Sequence, residues 1–208
     1  MLAGAIQGMI FVLAVATSQK YRSRSTNFLL ALILVFSVDL FQYDLNDAEI
    51  FSLEEFHQFI YLPLASSAGV FLYLYVFTLL YPEEKISRKQ WLFFLPFVLF
   101  FTTMVLLKII IFFLPEEKQI PLVSFYWSVY DLQEITAAIM SVFMSILAFR
   151  EIQKFERRNE NNQHKLHLTW LKATILFLIF FICTSWIWLS YLDMYEKEEP
   201  KFYLLWIG

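Results

Sequence analysis

The sequence has 208 residues, of which 59% are hydrophobic and 20% aromatic, whereas only 17% are charged. Soluble domains contain roughly 25% charged residues, and a soluble fold of this length could not bury so much apolar surface. The net charge of −3 gives no indication of a nucleic-acid surface, and the single cysteine, Cys183, excludes an intrachain disulfide. The apolar residues form continuous blocks without period-two alternation, which argues against a β-barrel. We therefore predict an all-α, polytopic transmembrane helical bundle.

Apolar blocks divide the chain into about seven predicted helices. A membrane-spanning helix needs about 20 mostly apolar residues, and six blocks approach that length: 1–16, 27–43, 59–81, 91–114, 127–149 and 170–192. A seventh block, FYLLWIG at 202–208, ends after seven residues. We expect residues 1–208 to form one sensor-like membrane domain with an incomplete seventh helix. A cytoplasmic output domain is expected beyond residue 208.

The distribution of basic residues predicts the orientation of the bundle. Lys and Arg number eleven in the segments 17–26, 82–90 and 150–169, but three in the alternating segments 44–58, 115–126 and 193–201. Cytoplasmic loops are the ones enriched in Lys and Arg. This alternation predicts an outside N-terminus and a multi-pass protein of the cell inner (cytoplasmic) membrane. We also expect the segment 150–169 to prolong the fifth helix into the cytoplasm.

Ionisable residues inside predicted spans are the candidate ligand-binding residues, because charge in a membrane is costly. They are Asp39 in the second helix, Lys108 in the fourth, and Asp131 and Glu134 in the fifth. Asp131 and Glu134 are three residues apart, and a stripe of small residues continues from them along one helical face through Ala138, Ser141 and Ser145. This pattern predicts a polar cavity open to the outside, with Lys108 as the counter-charge. The alternative is that Asp39, Lys108 and Asp131 extend from helix ends to the membrane interface.

Small residues at spacing four predict close helix packing. Gly4 and Gly8 have this spacing in the first helix, and Ala65 and Gly69 have it in the third. Small side chains let two helix backbones approach closely in a membrane. Helix packing is therefore the role predicted for these four residues.

No arrangement of residues in the sequence predicts catalysis or a metal site. His164 and His167 are three apart, whereas His57 lies on the opposite side of the predicted membrane. No phosphate-binding glycine loop, zinc-binding HExxH pattern or nucleophile with an adjacent base is present. We expect no enzymatic activity, no cofactor and no metal.

Several strings in order along the chain carry a family resemblance. They are GAIQG in the first helix, STNFLLALIL after a basic turn, LPLASSAGVFLYLYVFTLLYP, WLFFLPFVL, HLTWL and YLLWIG. Together they resemble the N-terminal membrane region of AraC-type transcriptional regulators of Bacteroidetes. The resemblance implies a multi-helix membrane bundle that precedes a cytoplasmic helix-turn-helix DNA-binding domain.

The predicted function is that of a signal-input module, which passes an extracytoplasmic or membrane stimulus to the output domain. The expected partners are the lipid bilayer, an extracellular or membrane-borne ligand, and DNA through the C-terminal domain alone; a homodimer is a possible assembly. Two alternatives remain open: the sensor region of a histidine kinase, and a small transporter or channel. A transporter would be expected to have inverted repeats and broken helices at the membrane midplane.

Overall fold

The computed structural model describes residues 2–47, 60–158 and 165–195, with the backbone alone described at 46–47, 116–118, 165–167 and 185–195. These residues form six long helices, a short helix at Arg88–Trp91 and two 3-10 helices, and no strand occurs among them. The helices are α1 Leu2–Thr17, α2 Arg24–Asp47, α3 Ala65–Leu80, α4 Leu95–Phe113, α5 Glu116–Arg158 and α6 Lys165–Tyr195. The prediction of an all-α fold is confirmed.

Most of the predicted helices coincide with observed ones. The apolar block 27–43 lies within α2, 127–149 lies within α5, and 170–192 lies within α6. As expected, the fifth helix continues past residue 149, to Arg158. The incomplete helix predicted at 202–208 lies outside the described residues.

The segment 115–126, between the fourth and fifth apolar blocks, was predicted to be a loop. This prediction is wrong, because α5 already begins at Glu116. The sequence there has a helix-start signal, a proline followed by two glutamates, which suit the positive end of a helix dipole. Pro121 removes one backbone hydrogen bond near the start of α5 without ending the helix. The Gln119 side chain also donates to the carbonyl oxygen of Leu114, at 2.7 Å. This bond joins the end of α4 to the start of α5.

The third helix begins later than the apolar block 59–81 predicts. Residues 61–64 are not helical, and α3 starts at Ala65. Pro63 explains the difference, since the residue before a proline is disfavoured in the helical region and proline has no N–H to donate. In α4, Pro96 lies within the first two positions of the helix, where no N–H bond is needed. The two prolines thus mark helix starts.

The helix α3 lies at the centre of the bundle. It packs most extensively on α5 and on α2, while α1 packs on α2, and both α4 and α6 pack on α5. Eleven of its sixteen residues are buried. The main apolar core joins α3, α5 and α6 through Val70, Leu74, Met144, Ala148, Ile152, Leu171 and Ile175. Every described helix therefore contacts α2, α3 or α5.

Three helical segments are long and apolar enough to cross a membrane: Arg24–Leu45, Arg88–Phe113 and Gln119–Arg158. Three further apolar helices are shorter, at Leu2–Thr17, Ala65–Leu80 and Leu168–Thr184. Large apolar side chains are exposed on several helices, including Phe113 at 78% and Trp170 at 69%. A lipid environment would cover such a surface, so membrane localisation is plausible on length and composition.

Candidate functional site

A cavity of about 410 Å³ lies between α2, α3, α5 and α6. Its walls are formed by aliphatic and aromatic side chains from α2, α3 and α6 and by small side chains from α3 and α5: Leu32, Phe36, Leu40, Leu72, Leu178, Phe181, Ile182, Ala65, Ala68, Gly69, Ala137, Ala138, Ser141 and Ser145. Asp39, Tyr43 and Glu134 complete the lining. Its volume is within the usual range of small-molecule sites, roughly 300–1,000 Å³.

The small residues of α3 and α5 make the floor of this cavity and bring the two helices together. At Gly69, an added Cβ would lie 2.7 Å from the Cα of Ser141 and 3.1 Å from the carbonyl oxygen of Met140. Only glycine therefore permits this approach of α3 to the backbone of α5. The stripe predicted along α5 lies on the cavity, since Ala138, Ser141 and Ser145 all line it.

Two acidic side chains lie on the cavity. Asp39 is buried, with 9% of its surface exposed, and Glu134 is partly buried. The ion pairs within the described residues, Lys154–Glu151 at 3.7 Å and Lys172–Glu156 at 2.7 Å, include neither carboxyl group. The cavity thus has acceptor groups and, among the described residues, no basic side chain in its lining.

Tyr61 connects the segment before α3 to α5. Its hydroxyl lies 3.0 Å from Glu134 Oε1 and 3.2 Å from Gln133 Oε1. A tyrosine hydroxyl has one proton, so it donates to one of these two oxygens at a time. The ring of Tyr61 also packs edge-on against Tyr130, with centroids 5.3 Å apart. The hydrogen bond to Glu134 thus positions this carboxyl group beside the cavity.

The non-helical backbone at 61–62 is satisfied by two side chains from neighbouring helices. The Gln42 side chain accepts a hydrogen bond from the Leu62 N–H, donates to the Leu62 carbonyl oxygen at 3.4 Å, and donates to Asp39 Oδ1 at 3.3 Å. Lys108 donates to the carbonyl oxygen of Tyr61. Buried backbone groups need such partners wherever a helix does not supply them. The pairs formed by Gln42 therefore connect the cavity carboxyl of Asp39 to this segment.

The structure separates the four predicted ligand-binding residues. Asp39 and Glu134 line the cavity, whereas Asp131 is exposed on α5. Residues three apart on a helix differ by about 60° in direction, so one can face the cavity while the other does not. Lys108 pairs with neither Asp131 nor Glu134. Its ammonium group bonds to the backbone of Tyr61 and lies 5.9 Å and 6.0 Å from the ring centroids of Tyr61 and Tyr126.

The four predicted packing residues also differ in their surroundings. A Cβ added to Gly8 would lie 2.1 Å from Ser37 Oγ, so Gly8 permits close contact between α1 and α2. Gly69 makes the close contact with α5, and Ala65 lines the cavity. At Gly4, an added Cβ would meet no heavy atom within 4 Å. Gly4 therefore has no close helix neighbour among the described residues.

Sequence reasoning missed the polar residues that surround the carboxyl groups: Gln42, Tyr43, Tyr61 and Gln133. A signal for Gln42 was present, since it follows Asp39 by three residues and both are polar within an apolar helix. Gln133 is fully buried beside Glu134, and its side-chain nitrogen has no hydrogen-bond partner among the described residues. Nothing in the sequence pattern distinguishes Tyr61 from the other tyrosines of the chain.

Within the described residues, no group of three or more His, Cys, Asp or Glu side chains could hold a metal ion, and the side chains of His57, His164 and His167 lie outside them. Two carboxyl groups on an otherwise apolar cavity can accept hydrogen bonds from a small molecule. No protein-family model, curated protein or solved structure matches this chain.

Proposed function

We propose that this chain is the membrane-embedded signal-input region of an AraC-type transcriptional regulator. It couples an extracytoplasmic or membrane-borne stimulus to a cytoplasmic helix-turn-helix DNA-binding domain. The observation that carries the input role is the cavity between α2, α3, α5 and α6, with Asp39 and Glu134 on its wall. The type of output domain follows from the family resemblance of the apolar strings alone.

The proposed membrane arrangement is a seven-helix bundle with its N-terminus outside, in the cell inner membrane. The alternation of basic segments supports this orientation. In this orientation Asp39, Glu134 and the segment 61–64 lie toward the outer side, while the basic end of α5 lies in the cytoplasm. Its basic residues, Arg150, Lys154, Arg157 and Arg158, then face anionic lipid headgroups.

The helix α5 is the proposed route from the cavity to the output. It has 43 residues without a break, and at 1.5 Å per residue it is about 64 Å long. One helix therefore carries Glu134, the cavity floor and the basic end. The ion pair between Lys172 and Glu156 joins that end to α6. A change in packing at the cavity thus tilts or shifts the cytoplasmic end, as in other helix-shift transitions.

Filling the cavity tests this coupling. The change Ala138→Leu places a larger side chain in the cavity and is expected to mimic an occupied state. Backbone hydrogen exchange at 150–158, measured by mass spectrometry in lipid nanodiscs, is expected to change by about fivefold or more, within the usual range of allosteric coupling.

The matched control is Ala173→Leu, which makes the same change at an exposed position of α6. Its exchange at 150–158 is expected to equal that of the wild-type chain. Unchanged exchange in Ala138→Leu, with the chain still helical and monodisperse, would contradict an input role for the cavity.

A further inference from the structure

The walls of the cavity indicate a ligand with an apolar body. Leu32 and Phe36 of α2 line it together with Leu178 and Phe181 of α6. The described parts of α2 and α6 are not among the extensively packed helix pairs. A membrane-dissolved molecule would therefore find an apolar surface between these two helices.

The two carboxyl groups indicate the charge of the ligand. Asp39 and Glu134 have no ion-pair partner among the described residues, and Lys108 bonds instead to the backbone of Tyr61. A buried carboxylate without a cation is costly, whereas an ammonium group offers three donors and a positive charge. A cationic group on the ligand would therefore stabilise both side chains.

A second polar feature lies farther along the cavity. Ser145 is 1% exposed and lines the cavity, and its Oγ has no hydrogen-bond partner among the described residues. It follows Glu134 by eleven residues on nearly the same helical face, which corresponds to about 16 Å along α5. The cavity thus offers acceptors near Glu134 and an unpaired hydroxyl at a distance from them.

From these features we infer that the cavity binds an elongated primary amine, with its ammonium group between Asp39 and Glu134 and a hydrogen-bonding group near Ser145. This inference rests on the proposed input function and names the ligand class for the same cavity. The aliphatic body of the amine lies between α2 and α6, and the molecule enters from the bilayer.

The probe for the test is 10-amino-1-decanol, titrated calorimetrically into the chain in nanodiscs of zwitterionic lipid. Empty nanodiscs provide the correction for partitioning into the bilayer. Saturable binding is expected, and 1-decanol, which lacks the ammonium group, is expected to bind at least about tenfold more weakly because it forgoes charge-assisted hydrogen bonds.

Three variants, with Asp131→Asn as a fourth that serves as the control, locate the two ends of the probe. Glu134→Gln and Asp39→Asn are each expected to weaken amine binding about tenfold or more. Asp131→Asn removes an exposed carboxylate three residues from Glu134 and is expected to leave binding unchanged. The wild-type chain is expected to bind 10-amino-1-decanol more tightly than decylamine, which lacks the hydroxyl. Ser145→Ala is expected to abolish this difference in affinity.

The outcomes separate the ligand class from the proposed function. Equal binding of 1-decanol, or undiminished amine binding in both Glu134→Gln and Asp39→Asn, would overturn the amine assignment. If the amine assignment failed in this way but Ala138→Leu still abolished binding of the probe, the cavity would remain a site for a ligand of another chemical class. If no probe bound in a saturable manner, the amine assignment would fail, whereas the input role would still be decided by hydrogen exchange at 150–158 in Ala138→Leu.

Discussion

Replacement of Gly69 by alanine is expected to lower the free energy of unfolding by roughly 1–3 kcal/mol, the usual effect of overpacking. The added Cβ would lie 2.7 Å from the Cα of Ser141, which is backbone and cannot rotate away. The helices α3 and α5 would have to separate, and their contact is the most extensive in the bundle. Unfolding by SDS in mixed micelles, followed by circular dichroism, measures this effect.

The matched control is Gly4→Ala, the same change in α1. A Cβ there meets nothing within 4 Å, and alanine favours a helix by up to about 1 kcal/mol over glycine. This variant is therefore expected to be as stable as the wild-type chain or slightly more so. Equal stability of Gly69→Ala and wild type would show that α3 and α5 are not in such close contact.

Replacement of Gln42 by leucine is expected to destabilise the chain by roughly 1–3 kcal/mol, because two partly buried backbone groups of Leu62 lose their partner. Gln42 is 3% exposed, and its side chain pairs with both the N–H and the carbonyl oxygen of Leu62. Leucine has a similar size, so the loss is mainly of hydrogen bonds. The amide of Leu62 is also expected to exchange with solvent faster, which a loss of packing elsewhere would not produce selectively.

The control for this prediction is Gln7→Leu, since Gln7 is exposed on α1. Exposed substitutions usually change stability by less than about 0.5 kcal/mol. Similar stability of the two glutamine variants would refute the role of Gln42 in holding the segment before α3. A selective loss in Gln42→Leu supports that role.

Composition and apolar block length were sufficient to predict most of the described helices, because these properties are local. They also identified Asp39 and Glu134, since charge within an apolar block is conspicuous wherever it falls. The small stripe through Ala138, Ser141 and Ser145 followed from helical periodicity alone. Each of these predictions depends on residues within one helix.

The contacts between helices were not predictable in the same way. Gln42 pairs with Leu62, twenty residues away, only because Pro63 prevents a helix there. Lys108 bonds to a backbone carbonyl that this non-helical segment exposes, so its expected pairing with a carboxylate did not form. Asp131 is exposed and Glu134 lines the cavity because of how α5 is rotated about its axis relative to α2 and α3. Sequence spacing does not define that rotation.

In the proposed arrangement, α5 crosses the membrane and connects the cavity to the cytoplasm. Cysteines at Gln119 and Arg157 test it most directly, after exposed Cys183 has been replaced by alanine. In intact bacterial cells, a membrane-impermeant maleimide is predicted to label the cysteine at 119, and to label that at 157 only after permeabilisation. Labelling of both sites in intact cells, or of position 157 alone, would contradict the claim.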